Sequence, residues 1–193
     1  MASRLNLLFQ TAPKQFLERT VLFTDELRTP ENLALLRNRI ANHIDIQPVN
    51  QQATAQVLAN LHLYSDMPLT SYFVAPGSVA MIPKEDPPYR FVFFPEFANC
   101  RMLVSSEGED WLRIQCEEGL SGRVPAAESQ TESRYLDSFA YWDYTTGPLV
   151  GRIRATAVLV KEPGQPWTAF MQQIVGTPGH EVVRSLFSRA LKY

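Results

Sequence analysis

The chain has 193 residues, of which 18 are Lys or Arg and 20 are Asp or Glu, giving a formal net charge of −2. Hydrophobic residues make up 45% and charged residues 20%, a composition that excludes disordered and collagen-like chains. This near balance of charge provides no general attraction to nucleic acid, so we expect no nucleic-acid partner. A chain of this length buries roughly 70% of the surface that it exposes when unfolded, so it can form a core without disulfides.

The chain shows no sign of a signal peptide or a membrane span. The first apolar segment, Leu5–Phe9, contains an asparagine and is too short for the core of a signal peptide. No other segment approaches the ~18 apolar residues that cross a membrane as a helix. We therefore expect a protein that is cytoplasmic, or exported without a cleaved signal peptide, and that has no membrane span.

The cysteines and histidines predict no cofactor. Two cysteines cannot form a disulfide framework. The histidines, His43, His62 and His180, are scattered along the chain and lack the paired spacing of metal ligands. We therefore expect no metal site and no other cofactor.

A helix is predicted over residues 30–44. Thr29 is a typical N-cap, Pro30 suits the first helical position, and Glu31 supplies an acid to the first turn. The apolar residues that follow recur at helical spacing, which favours a helix with one buried face.

A second helix is predicted over 50–62, with Asn50 as its cap and apolar residues at helical spacing behind it. The preceding segment, 14–27, leaves two alternatives open. It has a helical pattern overall, but residues 20–24 are of the types that form strands.

The pattern changes to short β-branched and aromatic runs after residue 67. Turn residues separate these runs, so we predict strands over 70–75, 78–82, 89–94 and 150–161. In the last of these, alternating polar and apolar residues, including Thr156, predict one face in water and one buried face.

The last predicted element is a C-terminal helix over 180–192, because its apolar residues form a stripe at helical spacing. The fold class that follows is α+β: a helical N-terminal third, then a mainly antiparallel sheet or sandwich, with the C-terminal helix packed on it. We expect one domain, 1–193, with residues 1–66 mostly helical, 67–175 rich in β-strands and 176–193 forming the final helix.

A hairpin is predicted between Phe97 and Glu118, with residues 105–110 as its loop. A turn centred on Gly108 would place the apolar residues of the two strands on one face of the sheet. The cross-strand pairs in this register are Val104 with Leu112, Met102 with Ile114, and Cys100 with Cys116.

This register makes the two cysteines direct neighbours, which leaves two alternatives. They could form a disulfide if their backbone geometry allows it. In a reducing compartment they would remain thiols and serve as small buried hydrophobic residues.

Several short motifs around the hairpin resemble segments of one known protein family. They are Pro76-Gly77-Ser78-Val79, Phe93-Phe94, Cys100, Trp111, Ile114 and Gly147-Pro148-Leu149-Val150-Gly151-Arg152-Ile153. Together they resemble segments of the bacterial lethal-factor and cytotoxic-necrotizing-factor glutamine deamidases, over about the middle half of the chain. The resemblance implies a sandwich-like core flanked by helices, in which a cysteine attacks the side-chain amide of a glutamine in a host protein.

The resemblance implies that Cys100 is the nucleophile. Asn99 stands where the family has glycine before the cysteine, a change that a left-handed Asn can accommodate. The family's histidine falls on the strand after the hairpin loop, where this chain has Leu112, Arg113 and Gln115, none of which can take a proton from a thiol. The general base would therefore be His180 or His62, reaching Cys100 from elsewhere in the fold.

A second candidate site is the densest aromatic cluster of the chain: Tyr135, Phe139, Tyr141, Trp142 and Tyr144. Tyr141, Trp142 and Tyr144 are candidate binding residues, because Tyr and Trp combine a large apolar area with a polar group. The alternative is that the cluster packs against the sheet.

These features support two main hypotheses for function. The chain is either a cysteine hydrolase or glutamine deamidase-like bacterial effector or toxin, or an inactive relative of one. Alternatively, it is a non-enzymatic protein-interaction module, such as an immunity or accessory protein. Both hypotheses involve a protein as substrate or partner. A small-molecule-binding domain is a third alternative, which no particular residue supports.

Overall fold

The computed structural model describes residues 4–24, 27, 29–36, 42–48, 57–62, 69–75, 77–94, 101–117, 137–139, 154–191 and 193. Within these residues the chain forms three short helices and twelve strands, so the fold is mostly β. The predicted α+β class, with a helical N-terminal third and a C-terminal helix, is therefore wrong. None of the helices in the described part of the chain is long and apolar enough to cross a membrane.

The helices are α1 (Arg4–Thr11), α2 (Pro13–Arg19) and α3 (Pro30–Leu36). The strands, in chain order, are β1 (Thr20–Phe23), β2 (Asn42–Pro48), β3 (Val57–His62), β4 (Leu69–Phe73), β5 (Val79–Pro83), β6 (Phe91–Phe93), β7 (Arg101–Glu107), β8 (Trp111–Glu117), β9 (Asp137–Phe139), β10 (Arg154–Val160), β11 (Thr168–Val175) and β12 (Val182–Ala190). Both alternatives for the segment 14–27 thus occur, one after the other: α2 comes first, and β1 follows it.

The start of α3 is confirmed, and its end is not. The side-chain oxygen of Thr29 accepts a hydrogen bond from the backbone N–H of Asn32 at 3.3 Å, as an N-cap does. The helix ends at Leu36, and β2 begins at Asn42, so the prediction that the helix reaches residue 44 is wrong. Ile44 is buried and pairs with β4, because sheet pairing there outweighs a modest helix preference.

The predicted helix over 50–62 is wrong in its described part, Val57–His62, which forms β3. This strand lies between β1, to which it is parallel, and β2, to which it is antiparallel. Its backbone groups are therefore bonded on both sides to distant parts of the chain. That pairing is invisible to a search for local periodicity.

The predicted C-terminal helix over 180–192 is also wrong, because Val182–Ala190 forms β12, antiparallel to β11. The turn that joins the two strands contains Gly176 and Gly179, both at positive φ (126° and 84°). A Cβ on Gly176 would lie 2.5 Å from the carbonyl oxygen of His180, so only glycine fits there. This glycine-dependent turn reverses the chain, so that residues 182–190 pair with β11 as a strand and do not form the predicted helix.

The strands form two sheets. The larger one has eight strands in the order β1-β3-β2-β4-β6-β10-β11-β12, and the smaller has four in the order β5-β8-β7-β9. One core lies between the two sheets and includes Tyr89, Cys116 and Trp167. A second core lies between the larger sheet and the helices and includes Phe9, Phe16 and Phe93. The molecule thus has three layers: small sheet, large sheet and helices.

Because β10 is central in this arrangement, it is buried on both faces. Val158 and Val160 contribute to the helix-side core, and Ala157 and Leu159 to the core between the sheets. Thr156, predicted to face water, is buried and donates its hydroxyl hydrogen to the carbonyl of Leu22 at 2.7 Å. The prediction of a wet face for this strand is therefore wrong at Thr156.

The β7–β8 hairpin is confirmed, but its register differs from the predicted one by two residues. Val104 pairs with Ile114, and Met102 pairs with Cys116. The turn is centred one residue later than predicted, because β7 continues to Glu107 and Gly108 enters the turn with φ at 64°. A shift of two residues keeps every side chain on its predicted face, so the apolar residues still point into the core.

Candidate functional site

The two cysteines are not the cross-strand pair that the sequence predicted. Cys116 lies opposite Met102, is only 1% exposed, and packs in the core between the sheets. It behaves as a small buried hydrophobic residue, one of the two alternatives from the sequence. Cys100, the predicted nucleophile, lies outside the described residues, which resume at Arg101.

The two candidate bases lie in different parts of the fold. His62 is the last residue of β3, in the larger sheet, opposite Asp45 of β2. His180 is exposed in the turn between β11 and β12, where its backbone N–H donates to the carbonyl of Thr177 at 2.9 Å. The structure thus separates the two residues that the sequence could not rank.

The position of His180 relative to β7 follows from how the sheets are aligned. The end of β5 lies beside β10, because Lys161 donates to the carbonyl of Lys84 at 2.6 Å. The start of β5 lies nearer the middle of β10, because Ser78 bonds to Ala75 and the neighbouring Phe94 bonds to Ala157. β7 begins two residues beyond the start of β5, so both the start of β7 and the β11–β12 turn lie away from the Lys84 end of the sandwich.

The predicted aromatic binding residues Tyr141, Trp142 and Tyr144 also lie outside the described residues. The structure instead places other large apolar side chains on the surface. Val79, Met81 and Trp111 are 47%, 40% and 45% exposed, respectively. They lie on the outer face of the small sheet, since Met81 pairs with Arg113 and Trp111 with Pro83 on adjacent strands. We call these three residues the outer apolar face.

Within the described part of the small sheet, β5 is an edge strand. The backbone N–H of Cys116 donates to the carbonyl of Ser78 at 3.2 Å, and the N–H of Lys84 donates to the carbonyl of Asp110 at 2.8 Å. Hydrogen-bonded pairs alternate along an antiparallel ladder, so the even-numbered residues of this stretch bond to β8. The backbone groups of Val79 and Met81 therefore point away from β8, toward the open edge.

Among the described residues, β5 itself carries none of the charged side chains that usually protect an edge against strand addition. The strand reads Val-Ala-Met-Ile-Pro and contains no charged side chain. Edge strands of monomeric proteins are commonly protected by lysine, bulges or inward charges. Only Pro83, at the end of the strand, interrupts the run of potential donors.

The β7–β8 loop beside Trp111 is acidic. Glu107, Glu109 and Asp110 are all exposed there. Lys84 contacts this loop through polar groups, since its ammonium donates to Ser106 Oγ and to the carbonyl of Gly108 at 2.7 and 2.8 Å. The loop therefore has an excess of negative charge next to the outer apolar face.

A separate cavity of about 410 Å³ opens at the opposite end of the sandwich from His180. Its wall comes from β4, from the segment between β5 and β6 and from the β10–β11 turn: Thr70, Glu85, Asp86, Pro87, Pro88, Tyr89, Arg90, Lys161, Pro163 and Gly164. Asp86 has a positive φ of 45°, and two prolines with fixed φ angles follow it. This lip of the cavity is consequently stiff.

Tyr89 lines this cavity and also belongs to the core between the sheets, against which Tyr72 packs. Tyr72 and Tyr89 stack with their ring centroids 5.4 Å apart, and Tyr89 also contacts Trp167. Burial raises the pKa of Tyr89 strongly, and the neighbouring Tyr72 raises it further. Burial also raises the pKa of Tyr72. Both rings are therefore neutral at ordinary pH and belong to the structural core.

No model of a known protein family matches this chain, and no curated protein is significantly similar to it in sequence. Among the residues that the structure describes, no three His, Cys, Asp or Glu side chains converge in the way that would hold a metal ion. Within the part of the chain that the structure describes, the β5 edge and the cavity are the surface features to which a chemistry can be assigned.

Proposed function

We propose that the protein is a non-enzymatic interaction module that binds an extended segment of a partner protein along the edge of β5. The observation that carries this proposal is the direction of the β5 backbone, because the N–H and C=O groups of Val79 and Met81 point away from β8. A segment laid alongside β5 would pair with these groups and extend the small sheet by one strand. Strand addition of this kind obtains its affinity from main-chain hydrogen bonds.

The outer apolar face indicates which side chains such a segment should carry. In a paired strand, alternate residues fall on the same face of the sheet as Val79 and Met81. Apolar side chains at those positions would cover both residues, which are 47% and 40% exposed without a partner. The preferred segment would therefore have apolar residues at every second position.

The acidic β7–β8 loop adds a requirement at one end of the segment. Glu107, Glu109 and Asp110 lie next to Trp111, which pairs with the last residue of β5, Pro83. A lysine or arginine on the partner at that end would meet complementary charge. Such rim charges contribute to specificity and to the rate of association more than to affinity.

The proposal can be tested with random twelve-residue peptides displayed on phage and selected on the immobilised chain. Enriched peptides should alternate apolar and polar residues and carry a Lys or Arg near one end. Synthetic versions should bind in solution, as measured by fluorescence anisotropy. Met81→Lys should abolish this binding, because it places a charge on the open edge. Leu7→Lys changes an even more exposed apolar residue, on α1, and should leave binding intact.

Two results would overturn the proposal. One is selection of peptides without alternation whose binding survives Met81→Lys. The other is a stable homodimer of the wild-type chain that becomes monomeric in Met81→Lys, measured by light scattering, because a second copy would then be the occupant of β5.

A second candidate function is the cysteine hydrolase implied by the resemblance, with Cys100 as nucleophile. One observation favours His180 over His62 as its base. His180 is exposed, and both its turn and the start of β7, the residue after Cys100, lie away from the Lys84 end of the sandwich. A glutamine side-chain amide of a protein would be the substrate. This function requires a thiolate at Cys100, which thiol reactivity can test directly.

A further inference from the structure

Arg90 and Lys161 are direct cross-strand neighbours at the base of the cavity. The backbone N–H of Lys161 donates to the carbonyl of Arg90 at 2.9 Å, which continues the antiparallel register of β6 and β10 by one residue. Like charges directly opposite each other on a sheet repel. A pair of cations in this position therefore needs acceptors around it.

The acceptors present leave hydrogen-bond donors unused. The Lys161 ammonium donates to the carbonyl of Lys84 at 2.6 Å and to the Glu85 carboxylate at 2.9 Å, which accounts for two of its three N–H groups. The Arg90 guanidinium donates to the carbonyl of Gln10 at 2.8 Å and pairs with Glu162. Its Nε–H is buried and has no acceptor among the residues that the structure describes.

Glu85, the carboxylate that pairs with Lys161, lies mostly in water. The side chain of Lys161 is only 7% exposed, whereas that of its partner Glu85 is 67% exposed. An ion pair with one partner so far in water is weak, because the carboxylate is solvated whether or not it touches the ammonium. Glu85 can therefore leave while Lys161 stays fixed in the cavity wall by its bond to the Lys84 carbonyl.

The cavity is larger than an inorganic anion alone would fill. Pro87, Pro88 and Pro163 line it beside the tyrosine ring, and its volume of about 410 Å³ is within the range of small organic ligands, roughly 300 to 1,000 Å³. We infer that the cavity binds a small carboxylic acid with an apolar body, whose carboxylate replaces Glu85 on Lys161. The remaining N–H of Lys161 would orient the carboxylate, and the prolines would contact the apolar body.

The test is isothermal titration calorimetry of the full chain with octanoate and with 3-phenylpropanoate. We expect at least one acid to bind, and 3-phenylpropanamide and inorganic phosphate to bind more weakly than that acid. Glu85→Gln should tighten binding about two- to fivefold, because it removes the competing carboxylate. Lys161→Met should weaken binding at least about tenfold, because it removes the charged donor. Glu18→Gln removes a surface glutamate paired with Lys14 and should have no effect.

Glu85→Gln is the decisive variant, since Glu85 is exposed and its replacement should not disturb folding, whereas loss of Lys161 could. An affinity that is unchanged or reduced in Glu85→Gln would overturn the inference. So would equal affinity for the amide or for phosphate, or the absence of binding by both acids to both proteins. These results are independent of the β5 edge, because Met81→Lys should leave acid binding unchanged.

Discussion

The buried side chain of Gln172 hydrogen-bonds to the backbone of Leu22, 150 residues earlier in the chain. Its side-chain oxygen accepts the N–H of Leu22 at 2.8 Å, and its side-chain nitrogen donates to the carbonyls of Leu17 and Thr20, both at 2.6 Å. β1 and β11 are far apart in the order of the larger sheet. One glutamine of β11 thus provides hydrogen-bond partners for backbone groups at and next to β1, and it links two strands that lie near opposite ends of the sheet order.

Gln172→Ala should therefore lower the free energy of unfolding by at least about 3 kcal/mol. It would leave an N–H and two carbonyls of the buried backbone without their acceptor and donor, and each such group costs about 1 to 3 kcal/mol. Urea unfolding followed by circular dichroism measures the change. Gln165→Ala, at an exposed position in the β10–β11 turn, is the control and should stay within about 0.5 kcal/mol of the wild type. A loss equal to that of the control would show that Gln172 does not hold β1.

Alkaline pH should destabilise the fold through Tyr89. Burial raises its pKa above the value of about 10 that it has when unfolded, so the folded state binds the proton more tightly. The stabilisation is fully present below about pH 10 and is lost as the pH rises through the higher pKa of the folded state. The urea midpoint should therefore fall above about pH 10.

Tyr89→Phe isolates this effect, because other groups that titrate at high pH are the same in both proteins. The variant should lose less stability than the wild type between pH 8 and pH 11, values chosen on either side of about pH 10. Parallel urea unfolding curves at the two pH values provide the comparison. Equal losses in the two proteins would mean that Tyr89 ionises as easily in the fold as in the unfolded chain.

The hydrolase candidate makes a prediction about thiol reactivity. If Cys100 is a catalytic nucleophile, it should be alkylated by iodoacetamide at pH 7 much faster than Cys116, which is 1% exposed and serves as the internal control. His180→Ala should slow the reaction of Cys100, whereas His62→Ala should not. Peptide mass spectrometry distinguishes the two sites. Equal inertness of the two cysteines would exclude the thiolate that this function requires.

The sequence predicted those elements whose determinants are local. The cap at Thr29 and the apolar runs of β4, β5 and β6 depend on neighbouring residues and are confirmed. β3 and β12 were predicted as helices because their apolar residues also fit a spacing of three to four. What decides their structure is pairing with β1, β2 and β11, and such non-local contacts leave no periodic signal.

The candidate surfaces were harder to predict for the same reason. The run Val79–Pro83 is apolar on both faces, which is typical of a strand buried on both sides. Its position at the edge follows from sheet order, which depends on the whole topology. Arg90 and Lys161 are 71 residues apart, and only the pairing of β6 with β10 brings them together. The ion pairs that Lys161 and Arg90 form with Glu85 and Glu162 follow no spacing in the sequence that would have predicted them.

The most direct test of the β5 docking surface removes one backbone N–H and little else. Val79→Pro deletes the donor that faces the open edge while keeping the bonds of Ser78 to β8, and proline is tolerated at the first residue of an edge strand. Val79→Ile keeps the donor and a β-branched apolar side chain. Anisotropy titrations with a selected peptide should show binding by Val79→Ile and at least about tenfold weaker binding by folded Val79→Pro. Equal binding by the two variants would contradict strand addition at β5.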